Sequence, residues 1–152
     1  MAEVSAASRG RKSLAAAVQR LAQFRYELRR FLRFSEQAAR AEGLTPQQHQ
    51  LLLGVAGFTG RRRATISELA EFLQERHNAV VGLVQRAERR GLVQKIIRSG
   101  DHRFVQVRLT VKGQRLLNKL TRAHLAHLGN RHGPRWVDLG LGRSSDERSK
   151  SA

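Results

Sequence analysis

The chain has 152 residues, of which 29 are Lys or Arg and 12 are Asp or Glu, so its formal net charge is +17 at pH 7. The length suits one domain with a helical extension, and 40% hydrophobic with 27% charged residues is the composition of a folded globular protein. Because the chain has no cysteine, disulfides, thiolate metal sites and thiol-based catalysis or redox sensing are excluded.

The positive charge is spread along the chain and is densest in its middle. Residues 61–115 carry 13 basic and 5 acidic side chains, and residues 1–40 carry 9 and 3. This excess predicts a polyanionic partner such as nucleic acid, with a basic protein kept soluble by its charge as the alternative. The longest apolar run, residues 51–58, has eight residues. That run is too short to span a membrane, and the N-terminus lacks the apolar core of a secretory signal, so we expect a cytoplasmic, nucleoid-associated protein.

The N-terminal third predicts an arm followed by a long helix. Residues 1–12 mix Ala, Ser, Gly, Arg and Lys without periodicity, which indicates a flexible basic arm. Residues 13–44 show helical spacing, with Leu14, Val18 and Leu21 on one face. A helix of this length is typical of one that packs on a copy of itself, so we predict a dimerisation helix. A single bent helix on its own core is the alternative.

Two short helices follow, each after a capping box. Thr45-Pro46-Gln47-Gln48 predicts a buried second helix that ends near Gly57, before the cationic loop Arg61-Arg62-Arg63. Thr65-Ile66-Ser67-Glu68 predicts the start of the third helix, which runs through Leu73.

After a break at residues 74–77, the chain predicts a fourth helix with one buried stripe. Its apolar side chains recur at i, i+3, i+4 and i+7, namely Val80, Leu83, Val84 and Ala87. Arg89, Arg90 and Gly91 are residues that end a helix, with Gly91 in the left-handed conformation.

The period then changes from helix to strand. Residues 93–97 and 104–109 predict a hairpin whose tip, residues 98–103, is cationic. Thr110 is predicted to cap a fifth helix, with Leu117 and Leu120 on its apolar face. We assign residues 111–142 to a C-terminal helical dimerisation region and residues 143–152 to a disordered tail.

This order of elements predicts a winged helix-turn-helix, a mainly α fold with a small β-hairpin wing, whose DNA-binding domain spans residues 45–110. With its stripe buried, the fourth helix turns the opposite face toward a major groove about 12 Å wide. On that face Asn78 is suited to adenine and Val81 to a thymine methyl group. Gly82 lies there too, either for close approach to DNA or for close helix packing, and the sequence leaves both open. The alternative is that this helix face is simply exposed to solvent and binds no partner.

The motifs resemble those of the MarR family of transcriptional regulators. Residues 101–113, DHRFVQVRLTVKG, are similar to the family's wing signature, in which D-x-R and a short apolar strand precede L-T-x-x-G. Residues 66–70 (ISELA), 80–84 (VVGLV) and 90–93 (RGLV) are similar to its helix-turn-helix. The resemblance spans roughly residues 20–128, with the motifs in the family's order and spacing.

The resemblance implies a homodimeric repressor on a palindromic operator. It implies that the wing arginine, here Arg103, enters the minor groove, with Asp101 orienting it or bracing Arg86; Asp101 as a simple turn residue is the alternative. The predicted DNA-contacting residues are Arg62, Arg63, Arg76, His77, Asn78, Val81, Gln85, Arg86, Arg89, Arg98 and Arg103. The sequence departs from the family where Gly129, Gly133 and Pro134 interrupt the final helix, which leaves the dimer geometry open.

Family members bind small, often anionic aromatic effectors, and the resemblance places such a cleft among Phe31, Phe34 and His49. These side chains are more typical of a protein core than of a ligand cleft. His124, His127 and His132 lack a nearby carboxylate, so we expect no metal site and no cofactor. No catalytic motif is present, and we expect no enzyme. The alternative function is a nonspecific, basic nucleic-acid-binding or architectural protein.

Overall fold

The structure, a computed structural model, describes residues 2–97 and 105–129, with side chains from residue 14 onward. In these ranges the helices are α1 (Ala2–Ala41), α2 (Pro46–Leu53), α3 (Ile66–Leu73), α4 (His77–Arg89) and α5 (Val111–Gly129). The strands are β1 (Arg63–Thr65), β2 (Val93–Ile97) and β3 (Val105–Leu109), and a π-helical segment, Gly54–Phe58, follows α2. The predicted fold class, mainly α with a small antiparallel sheet, is confirmed.

Residues 35–126 form one compact unit, which we call the winged-helix unit. The described residues 2–34 and 127–129 belong to a second unit. In that second unit the ring of Phe34 stacks on His127, with ring centroids 3.8 Å apart and an interplanar angle of 4°.

The first helix begins earlier than predicted. α1 starts at Ala2, whereas the sequence pattern placed the start of the long helix at residue 13, after a flexible basic arm. Ala, Glu, Arg and Lys, which dominate this stretch, have high intrinsic helix propensity and do not need an apolar stripe to continue a helix backwards. At the other end α1 stops at Ala41, where Gly43 takes a positive φ of 73° and the N–H of Leu44 donates to Ala39 O at 2.9 Å.

Both capping boxes are confirmed. The N–H of Gln48 donates to Thr45 Oγ1 and the N–H of Thr45 donates to Gln48 Oε1, each at 3.1 Å. At α3 the same reciprocal pair joins Thr65 and Glu68 at 3.2 and 2.8 Å. These bonds satisfy backbone donors that a helix start leaves free, which fixes both helix N-termini.

The hairpin is confirmed, and a third strand joins it. The antiparallel sheet has the order β1-β3-β2, with Ala64 opposite Val107 and Lys95 opposite Val107 on its other side. Our sequence analysis placed residues 61–63 in a loop and missed β1, because a strand of three residues shows no alternation of its own. Ala64 and Val107 are buried and turn the sheet's inner face toward the helices.

The core of the winged-helix unit lies between α2, α4, the inner face of the sheet and α5. The predicted α4 stripe is buried, with Val80, Val84 and Ala87 at most 1% exposed and Leu83 6% exposed. The turn after α4 also forms as predicted: Gly91 has φ +66°, and Leu92 folds back so that its N–H donates to Ala87 O at 3.0 Å.

Within the described ranges we find no helix that is both long and apolar enough to cross a membrane.

Candidate nucleic-acid interface

A three-residue turn sets the direction of α4. Gln74 caps α3 in the left-handed conformation, with φ +53°, and the N–H of Glu75 donates to Ala70 O at 3.0 Å. Arg76 is extended and forms the N-cap of α4. The turn therefore presents the first turn of α4 at the surface, where Arg76, His77 and Asn78 are all exposed.

The start of α4 differs chemically from the starts of α2 and α3. Its N-cap, Arg76, makes no side-chain cap, whereas Thr45 and Thr65 cap α2 and α3; its first turn, unlike that of α3, holds no acidic residue. The first N–H groups of a helix carry partial positive charge and need acceptors, and phosphate oxygens are acceptors that suit them. The absence of Ser, Thr, Asp or Asn at position 76 is the sequence signal of this feature, which our predictions did not include.

The predicted DNA-facing side of α4 does face solvent. Five of its predicted side chains are exposed, while Val81 and Gly82 are half-buried. The exposed ones are His77, Asn78, Gln85, Arg86 and Arg89. Within the described part of the chain, none of these five makes a side-chain hydrogen bond or ion pair. The face is thus free to donate to an acceptor from outside the protein.

Gly82 lies in the middle of this face, and its surroundings decide between the two explanations for it. An added Cβ would meet one described atom outside its own backbone, the guanidinium Nη1 of Arg86 at 3.3 Å. Arg86 Nη1 is the mobile end of a side chain on the same helix. Among the described residues, close packing against another helix therefore does not account for glycine at this position.

Arg90 and Arg89 differ at the C-terminal end of α4, because the Arg90 side chain fixes this end through hydrogen bonds and Arg89 is exposed. Arg90 donates to Gln48 Oε1 at 2.6 Å and to the carbonyl oxygen of Gly43 at 2.8 Å, and Lys112 Nζ donates to Arg90 O at 3.0 Å. Arg90 therefore braces α4 against the loop before α2, and neighbouring Arg89 remains exposed.

The three consecutive arginines Arg61, Arg62 and Arg63 have separate environments. Arg61 forms an ion pair with Glu68. The backbone N–H of Thr65 holds the pKa of Glu68 below its ordinary value, and Arg61 adds to this, so the carboxylate stays charged and keeps its partner. Arg62 is exposed with a positive φ of 59°, and Arg63 is exposed at the start of β1.

The outer face of the sheet adds a cationic row that the sequence analysis did not single out. Arg63 lies opposite Arg108, and Arg108 lies opposite Gln94 and donates to its Oε1 at 3.0 Å. Like charges directly opposite each other on neighbouring strands are unfavourable unless an anion lies between them. The inward-facing Val107 is the signal that predicts the outward direction of Arg108.

The predicted wing residues Arg98, Asp101 and Arg103 lie outside the described residues. The two predicted strands that lead into and out of that segment, β2 and β3, are in place.

The three residues predicted for an effector cleft fall in different units. His49 is in the winged-helix unit, 2% exposed, with its ring centroid 5.0 Å from that of His124. Burial, and then His124, lower the pKa of His49 to about 4. Phe31 and Phe34 are half-buried in the second unit. The cleft stays a prediction.

His124 Nδ1 lies 2.7 Å from Leu120 O, a contact made within its own helix. Among the described residues no three His, Asp or Glu side chains come together as metal ligands. His132 lies outside the described residues.

Comparisons with known proteins agree with this architecture. Residues 42–103 match the family model of the MarR family. Among curated proteins no match is found.

Solved structures resemble the chain over most of its length. Disulfide-formed AbfR superposes with a TM-score of 0.67 at 19% identity, covering 88% of each chain. AbsC, a MarR family transcriptional regulator from Streptomyces coelicolor, gives 0.61 at 24% identity, covering 75% of this chain and 74% of its own. A mutant of MepR from S. aureus, bound to an oligodeoxyribonucleotide, gives 0.59 at 20% identity, covering 82% and 83%.

The family match lies on the segment that holds α2, the α3–α4 turn and β2, and the structural matches extend to the helices on both sides. The resemblance found in the sequence motifs is therefore confirmed over residues 42–103, which match the MarR family model, and the chain has the winged-helix fold of these solved structures.

Proposed function

We propose that this chain is a sequence-specific, double-stranded DNA-binding transcriptional regulator, without enzymatic activity, that acts in the cytoplasm as a homodimeric repressor on a palindromic operator. The observation that carries the proposal is the outward face of α4. That face is exposed and cationic, has no partner among the residues that the structure describes, and is interrupted by a glycine; it begins at a helix N-terminus without a side-chain cap.

In this proposal α4 enters the major groove. Asn78 pairs with adenine and Val81 contacts a thymine methyl group, while Gln85 extends the base contacts. Arg76 and the first N–H groups of α4 bind a phosphate, which sets the register of the helix on the duplex. His77, Arg86 and Arg89 contact further phosphates or bases.

Arg62 and Arg63 supply phosphate contacts next to the sheet, and the row formed by Arg63 and Arg108 supports this role. From the family resemblance we assign the wing residue Arg103 to the adjacent minor groove, with Asp101 orienting it, and we assign Arg98 to a further DNA contact.

A homodimer is supported by the apolar stripe on α1. Leu14, Val18 and Leu21 recur at i, i+4 and i+7 and are 67%, 59% and 61% exposed. Three exposed large apolar side chains in a row on one helix face are typical of a surface that a partner covers. A second copy of the chain supplies the same stripe, and two copies present two α4 helices for two half-sites about one helical turn apart. In this proposal residues 13–44 and 111–142 form the dimerisation region.

We also propose that a small aromatic or anionic effector releases the operator. This part rests on the family resemblance.

Selection from random double-stranded DNA tests the regulator. The purified chain is incubated with a random library at physiological salt, and bound fragments are sequenced. A palindromic motif bound at least a thousandfold more tightly than bulk DNA is the expected result. Binding that fades with rising salt and shows no enriched sequence would assign the chain to the alternative class, a nonspecific basic nucleic-acid-binding protein.

A further inference from the structure

The winged-helix unit has a cationic groove that the proposed DNA contacts of α4 do not use. The groove has a volume of about 550 Å³ and lies between the loop before β1 and the first turns of α5. Its polar lining consists mainly of Arg62, Gln114, Arg115, Asn118 and Arg122. We call this feature the α5 groove.

The charges in the α5 groove all have one sign. Arg62, Arg115 and Arg122 line it, and no acidic side chain is among its lining residues. Arg115 and Arg122 are seven residues apart, two turns of α5, and so project from the same side of the helix. Within residues 14–97 and 105–129, none of the three guanidinium groups has a hydrogen bond or ion pair.

Three basic side chains near the groove, in contrast, have acceptors within the chain. Arg61 pairs with Glu68, Lys119 pairs with Glu42 at 2.8 Å, and Lys112 donates to Arg90 O. These three basic residues near the groove therefore have acceptors within the chain, whereas the described structure leaves the three inside it for an external acceptor. Guanidinium groups bind carboxylate and phosphate groups through paired, charge-assisted hydrogen bonds.

Two amides and one apolar side chain complete the lining. Gln114 Nε2 donates to Asn118 Oδ1 at 2.8 Å, which holds both amides in place and leaves the Asn118 amide N–H groups directed outward as donors. Val111 is 86% exposed at the edge of the groove and offers apolar contact. Separated cations with a small apolar edge suit a compact organic molecule that carries more than one anionic group.

We propose that the α5 groove binds a small organic molecule with at least two carboxylate or phosphate groups, and that this ligand regulates DNA binding by engaging Arg62. Arg62 is shared, because it lines the groove and is also one of the proposed phosphate contacts. A ligand that holds its guanidinium removes that contact from DNA. The regulatory half of this inference rests on the proposed function, whereas ligand binding in the groove does not.

The conformation of Arg62 agrees with a functional role for this side chain. Its φ of +59° is in the left-handed region, which a residue with a Cβ adopts at a cost of roughly 1 kcal/mol. Such conformations persist where the surroundings require a particular direction of the side chain.

Calorimetric titration tests the site with two probes, citrate for carboxylate groups and pyrophosphate for phosphate groups, each at an ionic strength matched with chloride. The variant is Arg115→Gln/Arg122→Gln. The matched control is Arg33→Gln/Arg40→Gln, which removes the same charge from exposed positions of α1. We expect at least one probe to bind the wild-type chain, with affinity at least tenfold lower in the groove variant and within twofold of wild type in the control. No binding of either probe, or equal loss in both variants, would overturn the proposal.

The response to each probe assigns the ligand chemistry. Binding of citrate alone identifies a polycarboxylate ligand, binding of pyrophosphate alone a phosphate ester, and binding of both a general oxyanion site. Each of these outcomes supports the groove.

A DNA-binding measurement without added anion separates the groove from the DNA surface. We expect Arg115→Gln/Arg122→Gln to bind the selected DNA within threefold of the control variant, and the bound probe to weaken wild-type DNA affinity about fivefold or more. If the groove variant loses DNA affinity and its salt dependence becomes less steep, the groove is a phosphate-backbone contact and the proposal fails. If the DNA selection finds no motif while the groove still binds the probe, the proposed function fails and the ligand site stands.

Discussion

Gly113, in the first turn of α5, lies against the backbone carbonyl group of Leu92, at the start of the hairpin. A Cβ at Gly113 would overlap the Leu92 carbonyl oxygen and lie 3.0 Å from its carbonyl carbon. Thr110, three residues earlier, donates its hydroxyl to Gly91 O at 2.6 Å and accepts the N–H of Gly113 at 3.0 Å. The L-T-x-x-G motif therefore joins α5 to the end of α4, and only glycine fits its last position.

Gly113→Ala is expected to destabilise the chain by about 3 kcal/mol, because the methyl group has no space against a rigid backbone carbonyl. The free energy of unfolding from urea denaturation measures this. Gly57→Ala is the matched control, since a Cβ at Gly57 meets no described atom within 4 Å. We expect the control to be neutral or stabilised by up to about 1 kcal/mol. Equal stability of the two variants would contradict the close contact.

At Gly82 an added methyl group is expected to have the opposite effect on stability. Gly82→Ala is expected to keep or raise stability by up to about 1 kcal/mol, since alanine favours the helix and Arg86 can move aside. Affinity for the selected DNA is expected to fall about tenfold, because the methyl group lies on the face proposed to approach the bases. Thermal unfolding and fluorescence anisotropy on the same preparation measure both quantities. A loss of stability with unchanged DNA affinity would show that Gly82 serves packing.

Local chemistry made most of the winged-helix unit predictable. The capping boxes at Thr45 and Thr65, the α4 stripe from Val80 to Ala87 and the left-handed Gly91 each act through bonds within a few residues, so the sequence carries their full signal. The direction of the α4 face follows from the stripe, because burying one side of a helix exposes the other.

The features that the sequence did not predict depend on contacts between residues that are far apart in the chain. β1 exists because Ala64 meets Val107, 43 positions later, and the Arg63–Arg108 row follows from that register. The separate environments of Arg61 and Arg62 depend on Glu68 and on α5. The start of α1 at Ala2 was not predicted for a different reason. We required an apolar stripe before assigning a helix, whereas the helix propensity of residues 2–12 is sufficient.

Arg61 and Arg63, on either side of Arg62, are a matched pair of arginines for testing phosphate contacts. Arg63→Gln is expected to weaken binding to all DNA sequences alike, about threefold to tenfold, and to lower the slope of log affinity against log salt by about 1. Arg61→Gln removes the same formal charge, but Arg61 is already paired with Glu68, so we expect a smaller change. Salt-titrated anisotropy measures both variants. Equal effects of the two substitutions would argue that only overall charge matters here.

Asn78→Ala is expected to change base preference without changing the salt slope. Its amide is exposed near the start of α4 and carries no phosphate charge interaction. Repeating the DNA selection with this variant should relax the preference at one position in each half-site, at a cost of about 1–3 kcal/mol there. An unchanged motif would remove Asn78 from the base-reading set.

The stripe on α1 is tested by adding charge to it. Val18→Glu/Leu21→Glu is expected to convert a dimer to a monomer and to lower operator affinity at least a hundredfold, since carboxylates in an apolar interface lose their hydration. Light scattering coupled to gel filtration measures the mass. Gln19→Glu/Ala22→Glu, which adds the same charge at exposed neighbouring positions, is the control and is expected to remain dimeric. A wild-type monomer, or a variant that stays dimeric, would contradict the proposed interface.

His49 makes stability depend on pH. Its pKa in the folded chain is about 4 against an ordinary 6.5, so the folded state binds its proton less readily than the unfolded state does. The neutral ring is thus compatible with folding above pH 6.5, and stability falls as the pH decreases from 6.5 toward 4. At pH 5 the loss is about 2 kcal/mol.

Urea unfolding of the wild type and of His49→Leu at pH 7.5 and pH 5 measures this loss of stability. Subtracting one chain's pH dependence from the other's removes the contribution of every titrating group that the two chains share. We expect the leucine variant to lose about 2 kcal/mol less between the two pH values, because leucine cannot take up a proton in the core. Parallel pH profiles would show that His49 is accessible enough to be protonated in the folded chain.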